Sequence, residues 1–175
     1  MSDHDAPEEI VWQGRFITAR RRGRWEYVGR ARSIQAAVIL AVVEGEVLLV
    51  EQYRVPLGAR CLELPAGLVG DTSAGEAVEE AAGRELEEET GYRAAAIETI
   101  GSFASSPGMV SETFHLVRAT GLVRVGAGGG EEGEDIVVHR VPLADIAAFI
   151  ADKRREGVLM DVKLLVLLGA GLLAA

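Results

Sequence analysis

The sequence is poor in cysteine, in aromatic residues and in net positive charge, and each shortage excludes a class of protein. A single cysteine, Cys61, among 175 residues rules out an internal disulfide and fits a reducing compartment such as the cytoplasm. Aromatic residues make up only 5% of the chain, so the core must be aliphatic. The net charge of −9 argues against a general nucleic-acid binder.

Apolar runs long enough for a membrane span are also missing. The apolar run at residues 164–175 has 12 residues, whereas a bilayer span needs about 20. We therefore expect no membrane segment, and expect this run to form a helix packed on the core or on a partner subunit. The first nine residues are polar and acidic, unlike a signal peptide. One compact domain is the expectation for a chain of this length.

Acidic residues are plentiful, and those in residues 76–92 follow a helical pattern. Glu85, Glu88 and Glu89 stand at i, i+3 and i+4, so their carboxylates share one face of a helix. The same face carries the apolar stripe, which consists of Val78, Ala81 and Ala82. Buried carboxylates repel one another and are costly to desolvate unless cations compensate them. Because oxygen ligands suit hard divalent ions, the pattern predicts a site for Mg²⁺ or Mn²⁺.

A solvated acidic surface helix is the simpler interpretation of this segment, because glutamate is a good helix former and usually faces water. Glu87 points almost opposite to the apolar stripe and is expected in solvent under either interpretation. Ser73 and Glu76 fit a capping box at the start of the helix, and Gly91 fits a C-terminal cap.

The other elements indicate a mixed α/β or α+β sandwich, because strands surround one central helix and further helices follow late in the chain. Strands are expected at residues 10–12, 16–18, 25–28, 36–43, 46–53, 61–64, 94–104, 112–119 and 135–141. A hairpin turn is expected at Glu44-Gly45, a loop at 65–73 and a helix at 143–153. The arginine-rich residues 20–24 read as a turn, either an exposed hairpin tip or a contact for phosphates.

The segment 126–134 is rich in glycine and acid and is expected to be a mobile loop. Its Glu131, Glu132 and Glu134 are candidates for approaching a metal, but solvated loop acids are the simpler account. His115 and His139 lie in strand patterns without metal-ligand spacing, so we expect structural histidines.

Residues 70–92 resemble the Nudix box, G-x5-E-x7-R-E-U-x-E-E-x-G-U, in which U is a bulky apolar residue. The matching positions are Gly70, Glu76, Arg84, Glu85, Leu86, Glu88, Glu89, Gly91 and Tyr92. The chain is similar to ADP-ribose pyrophosphatases and related nucleoside-diphosphate-sugar hydrolases. This likeness extends to residues 25–28, 51–54, 62–67, 106–108 and 141–143.

The resemblance implies an α/β/α sandwich with a mixed sheet, preceded by an N-terminal antiparallel β-hairpin region. Residues 1–33 would be N-terminal strands that dimerise and complete the substrate site, and residues 34–175 the hydrolase domain. The box ends in the aromatic Tyr92 rather than in an aliphatic residue. The family's box glycine normally follows the Pro-Ala pair, which here is Gly67, while Gly70 has the correct spacing. The sequence leaves open which glycine has the structural role.

By the same resemblance, Glu85, Glu88 and Glu89 are metal ligands, with the Ala66 carbonyl as a further one, for two or three Mg²⁺ or Mn²⁺ ions. Glu88 is also counted among the catalytic residues, together with Arg84, which orients the glutamates, and with Glu112. Glu112 resembles a downstream glutamate that acts as general base or metal ligand, with a plain surface glutamate as the alternative.

Four further residues are candidates for contacting substrate. Arg54 would bind a phosphate, with a strand-end ion pair as the alternative, and Glu63 would meet the ribose. Trp25 would stack on adenine, although hairpin aromatics also serve as core or interface residues. Pro107 resembles the downstream proline that marks ADP-ribose hydrolases.

The function implied is Mg²⁺-dependent hydrolysis of ADP-ribose to AMP and ribose 5-phosphate by a cytoplasmic homodimer. Another nucleoside-diphosphate sugar, such as GDP-mannose or ADP-glucose, is the alternative substrate, because the box binds the shared diphosphate. A catalytically silent nucleotide-binding regulator is opposed by the intact set of three acids. Hydrolysis of oxidised nucleoside triphosphates fits the box but not the Pro107 segment.

Overall fold

The N-terminal strands form a sheet of their own in the computed structural model, which describes residues 2–31, 34–70, 75–131 and 133–173. Three antiparallel strands make up this sheet, namely β1 (Glu8–Gln13), β2 (Ile17–Arg22) and β3 (Trp25–Arg30). The sheet meets the rest of the chain where Val28 exchanges backbone hydrogen bonds with Met109 and Ser111, both at 2.9 Å. The strands expected near residues 10, 17 and 26 are confirmed.

The arginine cluster lies in a strand rather than in a turn, which corrects the sequence interpretation. Residues 20–22 end β2, and the turn is shortened to residues 23–24. Arg20 pairs with Glu8 at 3.1 Å and Arg21 with Glu9 at 2.7 Å, and both acids lie on the neighbouring β1. Because each of these guanidinium groups has a cross-strand carboxylate, charge compensation within the sheet explains the cluster.

A mixed sheet of eight strands forms the centre of the chain. Ten further strands follow β3, namely β4 (Gln35–Val43), β5 (Glu46–Arg54), β6 (Ala59–Glu63), β7 (Ala66–Val69), β8 (Tyr92–Arg93), β9 (Ala96–Ala104), β10 (Thr113–Thr120), β11 (Val123–Arg124), β12 (Val137–Pro142) and β13 (Leu159–Met160). The order is β13-β6-β5-β4-β10-β9, with β12 against β5 and β7 against β4, while β8 and β11 form a separate two-stranded sheet. Parallel pairing of β4 with β10 makes the sheet mixed.

Two local expectations about strands have opposite outcomes. The hairpin between β4 and β5 is confirmed, with positive φ at both Glu44 (53°) and Gly45 (81°), as a type I′ turn requires. The loop expected at 65–73 is wrong for its first half, because β7 pairs antiparallel with β4. The four residues of β7 are too few to show an alternating strand pattern of their own, so β7 depends on its partner strand.

Helices cover both faces of the central sheet. They are α1 (Val78–Thr90), α2 (Ile146–Arg155) and α3 (Leu165–Leu173). Alternate residues of β4 face opposite layers, as the two-residue period of a strand requires. Ala37 and Ile39 are buried with Leu86 of α1, whereas Val38 is buried with Ile146 of α2. The expected α/β/α sandwich is therefore confirmed. None of the helices among the described residues is long and apolar enough to cross a membrane.

Candidate active site

The acidic helix α1 begins later than the sequence suggests. Ala77 is the N-cap residue and makes no side-chain cap, while Ser73 of the expected capping box lies outside the described residues. Glu76 accepts hydrogen bonds from the Gly70 amide at 3.1 Å and from Arg84 Nε at 3.4 Å. Glu76 thus joins the preceding turn to the helix. At the other end, Gly91 is a left-handed C-cap (φ 75°), as expected.

Glu89 is the most deeply placed of the three candidate metal ligands. It is only 6% exposed, and its Oε2 accepts a hydrogen bond from the Ala66 amide at 3.0 Å. Burial raises the pKa of Glu89 to about 8, and the charge on Glu85 acts in the same direction, against the hydrogen bond from Ala66. The helix therefore presents a buried carboxyl whose negative charge is not fully compensated by neighbouring cationic side chains.

Arg84 holds the other two acids of the set. Its Nη1 donates to Glu85 Oε1 at 3.0 Å and to Glu88 Oε2 at 3.2 Å, and its Nη2 donates to the Leu68 carbonyl at 3.4 Å. Glu87 instead pairs with Arg93 at 2.8 Å on the outer face, which confirms the helical phase. One guanidinium thus fixes two neighbouring carboxylates and the strand beside them.

The three carboxylates share a helix face but do not form a ready-made cage. Within residues 2–31, 34–70, 75–131 and 133–173, no three His, Cys, Asp or Glu side chains are arranged to hold a metal ion. Glu85 and Glu88 turn toward Arg84, while Glu89 turns toward the Ala66 amide. The donor set still fits a hard dication, since it is all oxygen and includes one buried acid.

Two glycines have separate tasks beside this helix. A Cβ on Gly67 would lie 1.9 Å from Glu85 Cδ, so a larger residue here would force the Glu85 side chain to move. Gly70 ends β7 with a left-handed turn (φ 83°), and its amide donates to Glu76. The question that the sequence left open is thus answered by both residues, one for close approach and one for the turn.

One cleft of about 580 Å³ gathers six of the candidate residues. They are Arg54, Glu63, Ala66, Glu85, Glu89 and Glu112. Arg84 adjoins the cleft through its contact with Glu85, and Glu88 is linked to it through Arg84. Trp25 and Pro107 line a different hollow of about 410 Å³ beside the N-terminal sheet. Within a single chain, these two residues are therefore not brought to the acidic helix.

The two candidates for substrate contact inside the cleft are bound to each other. Arg54 Nε donates to Glu63 Oε1 at 2.6 Å and Nη2 donates to Oε2 at 2.7 Å, a bidentate pair at the end of β5. The strand-end ion pair is thus real. Glu63 is buried, whereas the Arg54 side chain is 41% exposed. The pair presents a guanidinium to the cleft and leaves its carboxylate partner beneath.

Glu112 receives a partner from the N-terminal sheet. Arg30 Nε donates to Glu112 Oε1 at 2.5 Å, and both residues line the cleft. Sequence reasoning missed Arg30, because 82 residues separate the pair. It also set Glu134 aside as a solvated loop acid. Glu134 lines the cleft, and its charge helps to raise the pKa of Glu89, so this loop acid belongs to the site.

Other titratable candidates have structural surroundings. His115 contacts Gln35 at 2.9 Å and Ser102 at 3.1 Å, and His139 contacts Glu51 at 3.1 Å. Cys61 is buried, and burial raises the pKa of its thiol to about 12, which opposes a nucleophilic role.

Comparison with known proteins gives one family and several relatives. A family model described as NUDIX domain matches residues 32–162. The chain is 40% identical over 119 residues to a methanol dehydrogenase activator of Bacillus methanolicus, covering 67% of this chain and 63% of that protein. It is 43% identical over 88 residues to an ADP-ribose pyrophosphatase of Bacillus subtilis, covering 50% of this chain and 46% of that protein. The chain thus spans less than two thirds of the length of either curated relative.

A solved structure is similar over almost the whole fold. It is described as the crystal structure of an ADP compounds hydrolase, with a TM-score of 0.71 and 25% sequence identity. The alignment covers 96% of this chain and 92% of that chain, so it includes the N-terminal sheet as well as the sandwich.

Proposed function

The chain belongs to the Nudix family, and we propose that it hydrolyses the diphosphate linkage of ADP-ribose to AMP and ribose 5-phosphate. The observation that carries this proposal is the single cleft in which the acidic helix, the Arg54–Glu63 pair and Glu112 meet. The names of the ADP-ribose pyrophosphatase and of the ADP compounds hydrolase support the choice of substrate class.

Two or three Mg²⁺ or Mn²⁺ ions would be held by Glu85, Glu88, Glu89 and the Ala66 carbonyl. When bound, such ions neutralise phosphate charge and lower the pKa of a coordinated water. Arg84 would keep Glu85 and Glu88 in position, since it already donates to both carboxylates. The buried Glu89 would supply the negative charge that favours a dication at depth.

Other residues of the cleft would bind the substrate and move the proton. Arg54 would donate to non-bridging phosphate oxygens, and Glu63 would accept a hydrogen bond from a ribose hydroxyl. Glu112 would accept the proton of the attacking water as its oxygen bonds to phosphorus and the bridging P–O bond breaks. Its contact with Arg30 fixes the direction of the carboxylate.

A homodimer would complete this site, with residues 1–33 as the dimerising part and residues 34–175 as the hydrolase domain. The N-terminal sheet exposes several large apolar side chains, namely Ile10, Trp12, Phe16 and Trp25. Exposed apolar patches of this kind mark interaction sites. A second subunit would bring Trp25 and Pro107 to the bound nucleotide, which they do not reach within one chain. The lone buried cysteine fits a cytoplasmic enzyme.

A direct product assay tests the proposal. The protein is incubated with Mg²⁺ and ADP-ribose, ADP-glucose or GDP-mannose, and the nucleoside monophosphate and sugar phosphate are quantified. The Glu88→Gln variant, purified by the same procedure, controls for contaminating hydrolases. We expect the highest kcat/KM for ADP-ribose. Negligible turnover of ADP-ribose beside rapid turnover of GDP-mannose would transfer the function to the alternative substrate, and binding without any turnover would indicate a silent nucleotide-binding module.

A further inference from the structure

The glycine segment, defined as residues 125–130, is bound to the last turn of the acidic helix. Its amides donate to backbone carbonyls of the last turn of α1 and of the C-cap residue Gly91, which lack partners inside the helix. The contacts are Val125 to Gly91 at 2.8 Å, Gly126 to Gly91 at 3.1 Å, Gly129 to Glu89 at 2.8 Å and Gly130 to Glu88 at 3.0 Å. Two of the accepting residues are themselves candidate metal ligands.

Gly128 is the point of closest approach between this segment and the helix. A Cβ there would lie 2.5 Å from the carbonyl carbon of Thr90 and 2.7 Å from the carbonyl oxygen of Glu89. The contacted atoms are backbone, which a small side-chain adjustment cannot move aside. Gly128 also has a positive φ of 72°. Glycine is therefore required here both for space and for conformation.

A second attachment holds the chain just after the glycine segment. Arg60 Nη1 donates to Asp135 Oδ2 at 2.6 Å, and Arg60 Nη2 donates to the Asp135 carbonyl at 3.3 Å. Arg60 is in turn fixed by Glu51 at 2.7 Å, a buried carboxylate that also contacts Lys153 at 3.0 Å. The attachment point thus belongs to the paired strands β5 and β6 and to α2, on the side away from α1.

Glu134 lies between these two attachments and faces the cleft. Its Oε2 accepts the Glu131 amide at 3.0 Å, which sets the direction of the carboxylate. We infer that Gly128 and Asp135 are positioning residues that hold Glu134 in the cleft beside Glu89. This inference rests on the proposed function, because it assigns Glu134 a part in that reaction as an additional carboxylate of the site.

Two pairs of variants separate positioning from general damage. Asp135→Ala removes an exposed carboxylate from Arg60 and leaves the Glu51 contact intact. Its control is Glu44→Ala, which removes an equally exposed carboxylate from Arg140 at 3.1 Å. Gly128→Ala adds a methyl group against α1. Its control is Gly157→Ala, which carries the same left-handed strain (φ 86°) with nothing within 4 Å of the new Cβ.

The first measurement is amide hydrogen exchange by NMR in metal-free protein, which does not depend on activity. We expect exchange at Gly129 and Gly130 to become about tenfold faster in Asp135→Ala and Gly128→Ala, because local opening becomes easier. Neither control should change it. Unaltered exchange in both test variants would overturn the inference.

The second measurement is steady-state kinetics with ADP-ribose. We expect both test variants to lower kcat about tenfold with little change in KM, because a displaced catalytic group costs rate rather than affinity. In a Glu134→Gln background, Asp135→Ala should cause no further loss. An equal loss in that background would show that Asp135 acts elsewhere and would refute the positioning role. A wild-type protein that hydrolyses none of the nucleotide sugars, but whose variants exchange faster, would refute the proposed function while supporting the attachment.

Discussion

Replacing Gly67 by alanine places a methyl group in space that the Glu85 side chain occupies. The new Cβ would lie 1.9 Å from Glu85 Cδ and 2.1 Å from Cγ, whereas carbon atoms in contact are about 3.5–4.0 Å apart. The φ of Gly67 is not in the left-handed region, so alanine meets no backbone strain at this position. The whole effect of the substitution should therefore come from displacement of Glu85.

The magnitude follows from what Glu85 loses when it moves. Its side chain is only 14% exposed and accepts a hydrogen bond from Arg84 at 3.0 Å. Overpacking typically costs about 1–3 kcal/mol, and a hydrogen bond to a charged group contributes about 1.5–3 kcal/mol. Because rotation of Glu85 relieves the first cost by giving up the second, the two do not add. We expect Gly67→Ala to lower the free energy of unfolding by about 2 kcal/mol.

Urea denaturation in metal-free buffer measures this loss, and titration calorimetry with Mg²⁺ reports the accompanying loss of metal affinity. Gly101→Ala is the matched control, since this strand glycine has its nearest neighbour for a Cβ at an ordinary 3.6 Å. In a Glu85→Ala background the obstructing atoms are gone, so Gly67→Ala should cost less than about 0.5 kcal/mol. An equal cost in both backgrounds would refute the proposed contact.

Five further substitutions test the site and its support. Glu88→Gln should lower kcat by orders of magnitude with the fold intact, since an amide is a poor ligand for a hard ion. Glu87→Gln on the outer face should leave kcat nearly unchanged. A large loss of kcat in Glu87→Gln would contradict the helical phase. Glu112→Gln should lower kcat about 100-fold and Glu134→Gln about tenfold, measured across a pH–rate profile. A larger loss of kcat for Glu134→Gln than for Glu112→Gln would exchange the roles of the two residues. Burial opposes ionisation of Glu51, but hydrogen bonds from cationic neighbours lower its pKa to about 2. Ionised Glu51 therefore stabilises the fold by about 3 kcal/mol above pH 4.5. This stability is lost as the pH falls toward 2. Thermal unfolding of Glu51→Gln should therefore differ from wild type at pH 7 and converge with it near pH 2, and a constant difference would exclude this origin.

Periodic features of the chain were predictable from sequence because local geometry alone decides them. The outward direction of Glu87 follows from the 3.6-residue period of α1, and its pair with Arg93 shows that direction. The β4–β5 hairpin follows from Glu44-Gly45, because Gly45 adopts the positive φ of a type I′ turn without steric cost. In both cases no distant residue changes the outcome.

Contacts between distant segments were not predictable in the same way. The capping pattern at Ser73 and Glu76 is a sound local signal, yet Glu76 is engaged by Arg84 and the helix begins at Val78. Strand β7 exists because β4 supplies its hydrogen bonds, and four residues cannot specify that by themselves. Glu134 carried no signal beyond a glycine-rich surrounding, because only the folded chain brings it to the cleft.

The distribution of charge in the cleft explains how so many acids coexist in a chain with a net charge of −9. Glu63 and Glu112 each have an arginine partner, and a single guanidinium serves both Glu85 and Glu88. A dication placed among the helix acids would compete with Arg84 for the same oxygens, since a carboxylate oxygen directed at a guanidinium is less available to a metal. Arg84 lowers the repulsion between Glu85 and Glu88, and it would weaken the binding of a dication by the same contacts. The helix should consequently take up Mg²⁺ more tightly together with a diphosphate, whose negative charge offers Arg84 another partner.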